Sequence, residues 1–290
     1  MKAPPFKYHA PASISDAVSL LSSLENARVL AGGQSLMPML NLRVAAPDHL
    51  VDLGRVPDLT GIVDEGQSIV IGAMTTQRAV ERSPLVARRC PLLAEAVAHV
   101  GHQQTRNRGT IGGSICHLDP GAELPVVASA LDAELTIAGP TGARHMKFRD
   151  FPEGYLTSQL GPDEILTHVA FPAIGARTGS AFLEFNRRPA DFAIVSVAVL
   201  ITLGASDIVT HAAIAFGGIQ GAPVRFAKAE EALVGGAANA AASEALRKLA
   251  LDLACDGDDL YPADYKRDLC SALLVRALKN AVARAGSRHV

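Results

Sequence analysis

Two glycine-bearing segments limit what this chain can fold into more than any other feature of its sequence. The first follows a stretch that reads as a short strand, residues 28–31, and comprises Ala31, Gly32, Gly33, Gln34 and Ser35. Adjacent glycines allow a ligand to approach the main chain closely, and successive N–H groups in such a turn form an anion-binding concavity. The side chains of Gln34 and Ser35 can donate further hydrogen bonds. The segment therefore predicts a ligand-binding turn at the end of a strand.

The second segment repeats this chemistry further along the chain. It comprises Thr110, Ile111, Gly112, Gly113 and Ser114, and it follows Asn107, Arg108 and Gly109. Neither segment matches the GxGxxG pattern or the GxxxxGK[ST] pattern, which disfavours a Rossmann site and a P-loop. A plain tight turn explains either segment alone. Together they can hold the two phosphates of a dinucleotide from opposite sides, and at this point both interpretations stay open.

The composition is that of a globular protein without a nucleic-acid surface. The chain has 290 residues, enough for one large or two modest domains, and Lys+Arg 27 nearly balances Asp+Glu 29. No uncharged apolar stretch is long enough for a membrane span. The chain begins without the apolar core of a signal peptide, so a cytoplasmic location is expected. The four cysteines are too scattered for an iron–sulfur array: Cys90, Cys116, Cys255 and Cys270.

Hydrophobic patterning predicts an α+β fold in two domains, residues 1–175 and 180–290. In the first, a helix begins after Ser13, other helices are predicted at 75–82, 92–100 and 123–131, and strands at 28–31, 49–53, 68–73, 134–137 and 164–171. The polar stretch 101–113 is predicted as a loop, and residues 173–180 as the linker. The second domain is predicted to place strands before helices. Its strands are 182–185, 193–203 and 209–216, and its helices are 225–233, 239–254 and 262–285.

Several longer stretches carry a resemblance to a known family. Residues 31–43, followed by Leu50, Val51, Asp52 and Leu53, form one stretch, and residues 106–114 form another. Residues 119–125 are similar to an Asp-Pro-Ala-Ala-Glu-Leu-Pro motif, and residues 187–193 to an Arg-Arg-x-x-Asp-Phe-Ala motif; residues 265–267 and 276–278 match a closing helix. In this order they resemble the FAD-binding medium subunits of molybdenum hydroxylases, of the carbon monoxide dehydrogenase and xanthine dehydrogenase type.

The resemblance implies a fold and a set of FAD-binding residues. The fold is a PCMH-type FAD-binding domain, in which FAD lies between two α/β subdomains, followed by a carbon monoxide dehydrogenase flavoprotein C-terminal-like domain. The diphosphate is expected between two sets of residues: Ala31, Gly32, Gly33, Gln34, Ser35 and Leu36 on one side, and Thr110, Ile111, Gly112, Gly113 and Ser114 on the other. Further contacts are expected from Gly101, from Glu123 to the ribose, from Leu166 near the adenine and from Phe192 against the isoalloxazine ring.

Simpler roles compete at several of these positions. Phe192 can be an ordinary core residue, Glu123 can cap the helix that it begins, and Asp119 can open a turn at Pro120. Cys116 is expected to be a buried thiol rather than a redox-sensitive one. His102 and His117 lie near the second segment and are the histidines to which FAD could be attached covalently. The family that the chain resembles binds FAD non-covalently. No metal site and no catalytic residue are predicted.

By resemblance, the function is electron transfer within a larger enzyme. Electrons are expected to arrive from the iron–sulfur clusters of a 2Fe-2S small subunit, and a substrate is expected to be hydroxylated at the molybdenum site of a molybdopterin-containing large subunit. The external acceptor can be a quinone, NAD or oxygen, and the expected assembly is a heterohexamer, a dimer of heterotrimers. The alternatives are a stand-alone PCMH-type flavin oxidase and a non-catalytic nucleotide-binding protein.

Overall fold

The computed structural model describes residues 1–287, which form a molecule of mixed helix and strand with four sheets. The strands are β1 (Lys7–His9), β2 (Ala27–Leu30), β3 (His49–Asp52), β4 (Ile62–Asp64), β5 (Ser68–Gly72), β6 (Glu134–Gly139), β7 (Gly142–Lys147), β8 (Pro152–Gly154), β9 (Thr157–Ser158), β10 (Ile165–Pro172), β11 (Thr178–Phe185), β12 (Val195–Leu203), β13 (Val209–Gly217) and β14 (Val224–Arg225).

Eleven α-helices accompany these strands within the described residues. They are α1 (Ile14–Ser23), α2 (Leu36–Leu42), α3 (Gln77–Glu81), α4 (Pro84–Arg89), α5 (Pro91–Val97), α6 (Gln103–Arg108), α7 (Ile111–His117), α8 (Glu123–Ala130), α9 (Ala227–Leu233), α10 (Ala240–Ala250) and α11 (Ala263–Ser287). None of the helices within residues 1–287 combines the length and apolarity that crossing a membrane requires.

The first half of the chain forms two α/β subdomains. The N-terminal one is a parallel sheet in the order β1-β3-β2, covered by α1. Ser13 caps α1 by accepting the amide of Asp16 at 3.1 Å, and Ala17, Val18 and Leu21 bury the inner face of the helix, as the helical spacing predicts. The second subdomain is an antiparallel sheet in the order β4-β5-β10-β6-β7, packed against the short helices α3, α4, α5, α7 and α8.

The second half places an antiparallel sheet in the order β11-β12-β13-β14 before its helices, as predicted. Strand β12 is apolar and buried along nearly its whole length, because both of its faces are covered. Ala198 and Leu200 face the core of the first half, while Val197, Val199 and Ile201 face the core built with α11. Successive side chains of a strand point to opposite faces. The sheet is therefore a shared wall between the two halves.

The α+β class is confirmed, but the structure corrects two local predictions. The stretch 101–113, predicted as a loop, contains α6 and the start of α7. Helix α6 has the sequence Gln-Gln-Thr-Arg-Asn-Arg, which offers no apolar period, so hydrophobic patterning could not reveal it. The linker predicted at 173–180 ends at Arg177, because β11 begins at Thr178. Pairing of Thr178, Gly179 and Ser180 with β12 makes these residues strand despite their turn-like composition.

Candidate cofactor site

One large cavity lies between the two subdomains of the first half, and it collects most of the predicted site residues. Its volume is about 990 Å³, at the upper end of the range for small-molecule sites. Predicted residues that line it are Ala31, Gly32, Gly33, Gln34, Ser35, Leu36, Gly101, Thr110, Gly112, Gly113, Ser114, Glu123, Leu166 and Phe192. The two glycine segments therefore share one cavity, although they lie far apart in sequence.

Ile111 is the predicted residue that does not line this cavity. Its side chain is fully buried in the core of the first half, and its amide donates to the carbonyl of Thr75 at 3.1 Å. Both polar and apolar parts of Ile111 therefore hold α7 in place. A direct contact between Ile111 and a cofactor stays a prediction from the resemblance alone.

Close approach at glycine joins the first segment to Arg108, just before the second segment, and joins Gly112 to Ala73, just after β5. A Cβ added at Gly32 would lie 2.2 Å from the carbonyl oxygen of Arg108, and a Cβ at Gly112 would lie 2.5 Å from the Cβ of Ala73. Gly33 has a φ of +71°, which L side chains rarely adopt. Glycine is thus required at Gly32 and Gly112 by close approach and at Gly33 by conformation.

The first segment presents unpaired main-chain amides. Within residues 1–287, no hydrogen bond is found from the amides of Gly32, Gly33, Gln34, Ser35 or Leu36. Ser35 occupies the cap position of α2 but makes no side-chain cap hydrogen bond. The side-chain Nε2 of Gln34 donates to the carbonyl of Gly32 at 3.1 Å. Consecutive free N–H groups that face a cavity suit an anion such as a diphosphate.

The second segment differs from the expected open turn, because it is the first turn of α7. The amide of Gly112 donates to the Ala73 carbonyl at 2.8 Å, and the amide of Gly113 donates to the Thr110 hydroxyl at 3.0 Å. These N–H groups are therefore already engaged within the protein. The chemistry that this side offers consists of close glycine approach and the hydroxyl of Ser114, rather than a second set of free amides.

Glu123 is a buried acid in the wall of the cavity. It is only 4% exposed, and burial raises its pKa to about 8, with a further increase from the nearby charge of Glu184. Ala122, rather than Glu123, occupies the cap position of α8, and no side-chain cap hydrogen bond is made there. Glu123 is therefore mostly protonated at neutral pH and can both donate and accept hydrogen bonds.

Two other acids of the cavity, Glu164 and Asp119, accept hydrogen bonds from groups of the protein. Arg144 contacts both carboxylate oxygens of Glu164 at 2.7 Å, which lowers the pKa of Glu164 and keeps the pair charge-neutral. The Asp119 carboxylate accepts the amide of Gly121 at 2.9 Å, as the turn alternative predicts, and lies 4.0 Å from His117. With Glu123 protonated, the cavity carries less negative charge than its composition implies, which favours an anionic ligand.

Gly101 is held in place by an arginine that the sequence analysis did not single out. Arg106 donates to the carbonyls of Val100 and Gly101 at 2.9 and 2.8 Å, and it pairs with Glu81 at 3.0 Å. Arg106 lowers the pKa of Glu81 through this hydrogen bond. The pair anchors the entry to α6 beside the cavity.

The aromatic and thiol groups of the cavity behave differently from one another. Phe192 is 64% exposed, so the ordinary-core alternative is wrong, and its ring stands at an open part of the cavity wall. Cys116 also lines the cavity, but burial raises the pKa of its thiol to about 12. The high pKa disfavours the reactive thiolate, but the Cys116 side chain is half-buried rather than fully buried as expected.

Several residues that line the cavity were not predicted from the sequence. Most of them lie near the glycines in the fold but not in the sequence. Met74, Gln77 and Thr105 belong to this group. Gln77 and Val80 are both buried and lie three residues apart on α3, so Gln77 lies on the inward face of that helix. That polar residue on an apolar face was the available signal.

FAD suits this cavity on the features seen here. A long ligand with a central diphosphate matches four features of the cavity. These are its volume, the free amides of the first segment, the close approach at Gly32 and Gly112, and the reduced negative charge of its wall. The apolar side chains of Leu166 and Phe192 lie elsewhere in the same wall, where flat ring systems can pack.

Comparison with known proteins places this chain in a family. The family described as "FAD binding domain in molybdopterin dehydrogenase" matches residues 4–174, and "CO dehydrogenase flavoprotein C-terminal domain" matches residues 180–281. The carbon monoxide dehydrogenase medium chain of Hydrogenophaga pseudoflava is 38% identical over 283 residues, covering 97% of this chain and 98% of that relative. The nicotine 6-hydroxylase medium subunit of Paenarthrobacter nicotinovorans is 37% identical, covering 98% of this chain and 100% of the relative.

Solved structures agree with these sequence matches. A carbon monoxide dehydrogenase from Hydrogenophaga pseudoflava, in a form that lacks the Mo-pyranopterin moiety of its molybdenum cofactor, superposes with a TM-score of 0.95 at 40% identity, covering 98% of this chain and 99% of that chain. Quinoline 2-oxidoreductase from Pseudomonas putida 86 superposes with a TM-score of 0.93 at 34% identity, covering 98% and 99%. The chain therefore belongs to the FAD-binding medium subunits of the molybdenum hydroxylases, the family of the carbon monoxide dehydrogenase medium chains.

Proposed function

We propose that this chain is the electron-transfer subunit of a molybdenum hydroxylase, which takes electrons from iron–sulfur clusters in a partner subunit and passes them to an external acceptor. The observation that carries the proposal is the single cavity in which the free amides of the first glycine segment face the glycines of α7, in a chain that matches medium chains along nearly its whole length. FAD supplies the redox chemistry when it is bound, because flavin accepts electrons singly and releases them in pairs.

The residues of the chain have binding and positioning roles in this proposal. The amides of residues 32–36 hold the diphosphate, and Gly112, Gly113 and Ser114 close on it from α7. Glu123 hydrogen-bonds the ribose, Leu166 packs near the adenine, and Phe192 lies against the isoalloxazine ring. Gly101, kept in place by Arg106, lines the same wall. No side chain acts as an acid or base on the primary substrate.

The proposed partners are a 2Fe-2S small subunit and a molybdopterin-containing large subunit, assembled as a heterohexamer. An exposed aromatic side chain beside the cavity supports a docking surface for a partner. Tyr155 is 68% exposed, and Leu156, next to Tyr155, lines the cavity. Aromatic residues are enriched where proteins meet partners. A cytoplasmic location stays a prediction.

Isolation of the tagged full chain from its own cells tests the proposal. Two further chains should co-purify, one carrying iron and acid-labile sulfide and the other molybdenum. The dithionite-reduced iron–sulfur chain, freed of excess dithionite, should then bleach the flavin absorbance of the purified medium chain within seconds. Isolation of the chain alone, with flavin that an organic substrate reduces directly, would instead establish a stand-alone flavin oxidase.

A further inference from the structure

Gln77 is a buried polar side chain that the protein itself leaves without a partner. It is 4% exposed and lines the cavity, and its Oε1 has no hydrogen-bond partner among residues 1–287. A buried amide that lacks its hydrogen bonds destabilises a protein, so such groups are rare without a reason.

The local structure brings Gln77 to this position. Thr76 caps α3 by accepting the amide of Ala79 at 3.2 Å, which makes Gln77 the first residue of the helix. The main-chain amide of Gln77 donates to the carbonyl of Gly109 at 2.8 Å. This bond ties the start of α3 to the segment that leads into α7, and it turns the Gln77 side chain into the wall of the cavity.

Because Gly109 has no side chain, the Gln77 side chain has room to lie against it. A Cβ at Gly109 would lie 2.5 Å from Oε1 of Gln77, although the backbone of Gly109 has an ordinary φ of −56°. Gly109 also lies against Gly32, whose added Cβ would be 2.8 Å from the Cα of Gly109. The Gln77 amide therefore stands next to the point at which the two glycine segments meet.

Nearby hydroxyl groups are already engaged elsewhere. Thr75 exchanges two hydrogen bonds of 3.0 Å with the main chain of Gly61, and Thr110 accepts the amide of Gly113. The Thr75 hydroxyl is engaged as donor and acceptor, and no hydrogen bond from Thr110 to Gln77 Oε1 is found among residues 1–287. A molecule in the cavity can supply polar atoms to the part of the Gln77 side chain that lines it.

We propose that Gln77 is an additional FAD ligand, whose side-chain amide is satisfied by hydrogen bonds to polar atoms of FAD beside the junction of the two glycine segments. An amide offers a donor and an acceptor side by side, a combination that suits the hydroxyl, phosphate and ring-amide groups of a flavin nucleotide. The inference rests on FAD occupying this cavity.

The proposal predicts that affinity and apoprotein stability respond in opposite directions. Gln77→Met keeps the length of the side chain and removes its polar atoms. The dissociation constant for FAD, measured by equilibrium dialysis on the full chain, should rise about tenfold, the usual effect of losing one or two hydrogen bonds. The melting midpoint of the apoprotein should stay the same or rise, because an unsatisfied buried amide has been removed.

Controls separate this inference from the proposed function. Gln104→Leu, on the exposed side of α6, should change neither measurement. Gln77→Leu provides a second apolar variant if Gln77→Met does not fold. An unchanged dissociation constant in a folded variant, or a fall of the apoprotein midpoint together with the affinity in both variants, overturns the role of Gln77. Failure of the wild-type chain to bind FAD would instead overturn FAD binding in the cavity as a whole.

Discussion

Gly32 is a position at which even the methyl side chain of alanine should weaken FAD binding. In Gly32→Ala the new Cβ would lie 2.2 Å from the Arg108 carbonyl oxygen, and because that atom belongs to the main chain, the two segments must separate. Overpacking of this kind costs about 1–3 kcal/mol, so FAD affinity should fall about ten- to a hundredfold. Equilibrium dialysis with FAD measures the change.

A second glycine serves as the matched control for this substitution. Gly286, near the end of α11, has no atom within 4 Å of an added Cβ, so Gly286→Ala should leave FAD affinity unchanged and slightly favour the helix. Equal affinities for Gly32→Ala and wild type would show that the two segments do not need to touch in order to bind FAD.

Glu123 should make the apoprotein less stable as the pH rises. Its pKa is about 8 in the folded chain against a reference value of 4.5, so between these values the folded state binds a proton that the unfolded state has lost. Stability is therefore greatest below about pH 4.5 with respect to this group, and it declines until the folded pKa is passed. Each pKa unit corresponds to about 1.4 kcal/mol, so the total decline is a few kcal/mol at most.

Glu123→Gln removes the titrating group and should remove this decline. In urea unfolding, the variant should be more stable than wild type at about pH 8 and nearly equal to it at about pH 4.5. Glu65→Gln, at an exposed position, is the control and should follow the wild-type curve. A constant difference between Glu123→Gln and wild type at both pH values would contradict the raised pKa.

At the scale of elements, α7 begins with one side-chain cap. The Thr110 hydroxyl, in a residue that is 3% exposed, accepts the amide of Gly113 at 3.0 Å. Thr110→Val keeps the shape of the side chain but leaves the Gly113 amide without its acceptor. This loss should lower the free energy of unfolding by about 0.5–2 kcal/mol. Thr110→Ser keeps the hydroxyl and should lose much less. Urea unfolding measures both, and equal losses in the two variants would assign the effect to packing instead of capping.

Sequence reasoning located elements with a strong apolar period and missed those without one. Helix α1, with its cap at Ser13, and the mostly buried strand β12 were predicted close to their observed bounds. Helix α6 was missed because its residues are nearly all polar, and its position is decided by tertiary bonds such as that of Arg106 to Glu81. Tertiary contacts of this kind leave no periodic trace in a sequence.

The candidate site was predictable where its chemistry is local. The first glycine segment carries its turn, its free amides and its helix start within a few residues, so the sequence pattern was sufficient. Gln77 and Arg106 act on the site only because α3, α6 and the start of α7 come together in space. The raised pKa of Glu123 is likewise invisible in sequence, because it arises from burial.

At the scale of the whole molecule, the two halves are joined by polar contacts as well as by the shared sheet. Glu95, on α5, accepts the amide of Phe182 at 3.1 Å and pairs with Arg284 of α11 at 2.8 Å. Arg225 donates to the carbonyl of Ser129 in α8 at 2.9 Å. Phe182, Ala198 and Ala215 are buried in the core of the first half. The chain should therefore unfold as one cooperative unit.

FAD binding tests whether the two halves unfold together, because residues of both halves line the cavity. Ala190, Asp191 and Phe192 of the second half line the same cavity as Gly32 of the first. A ligand that binds only the folded state at a hundred times its dissociation constant stabilises that state by about 2.7 kcal/mol. Hydrogen exchange of amides in β5 and in β12 should slow by the same factor when FAD is added to that level. In Gly32→Ala at the same FAD concentration, both strands should slow much less and still by equal factors. Slowing in β5 alone would show that the halves unfold separately and that the buried face of β12 is a docking surface between independent domains.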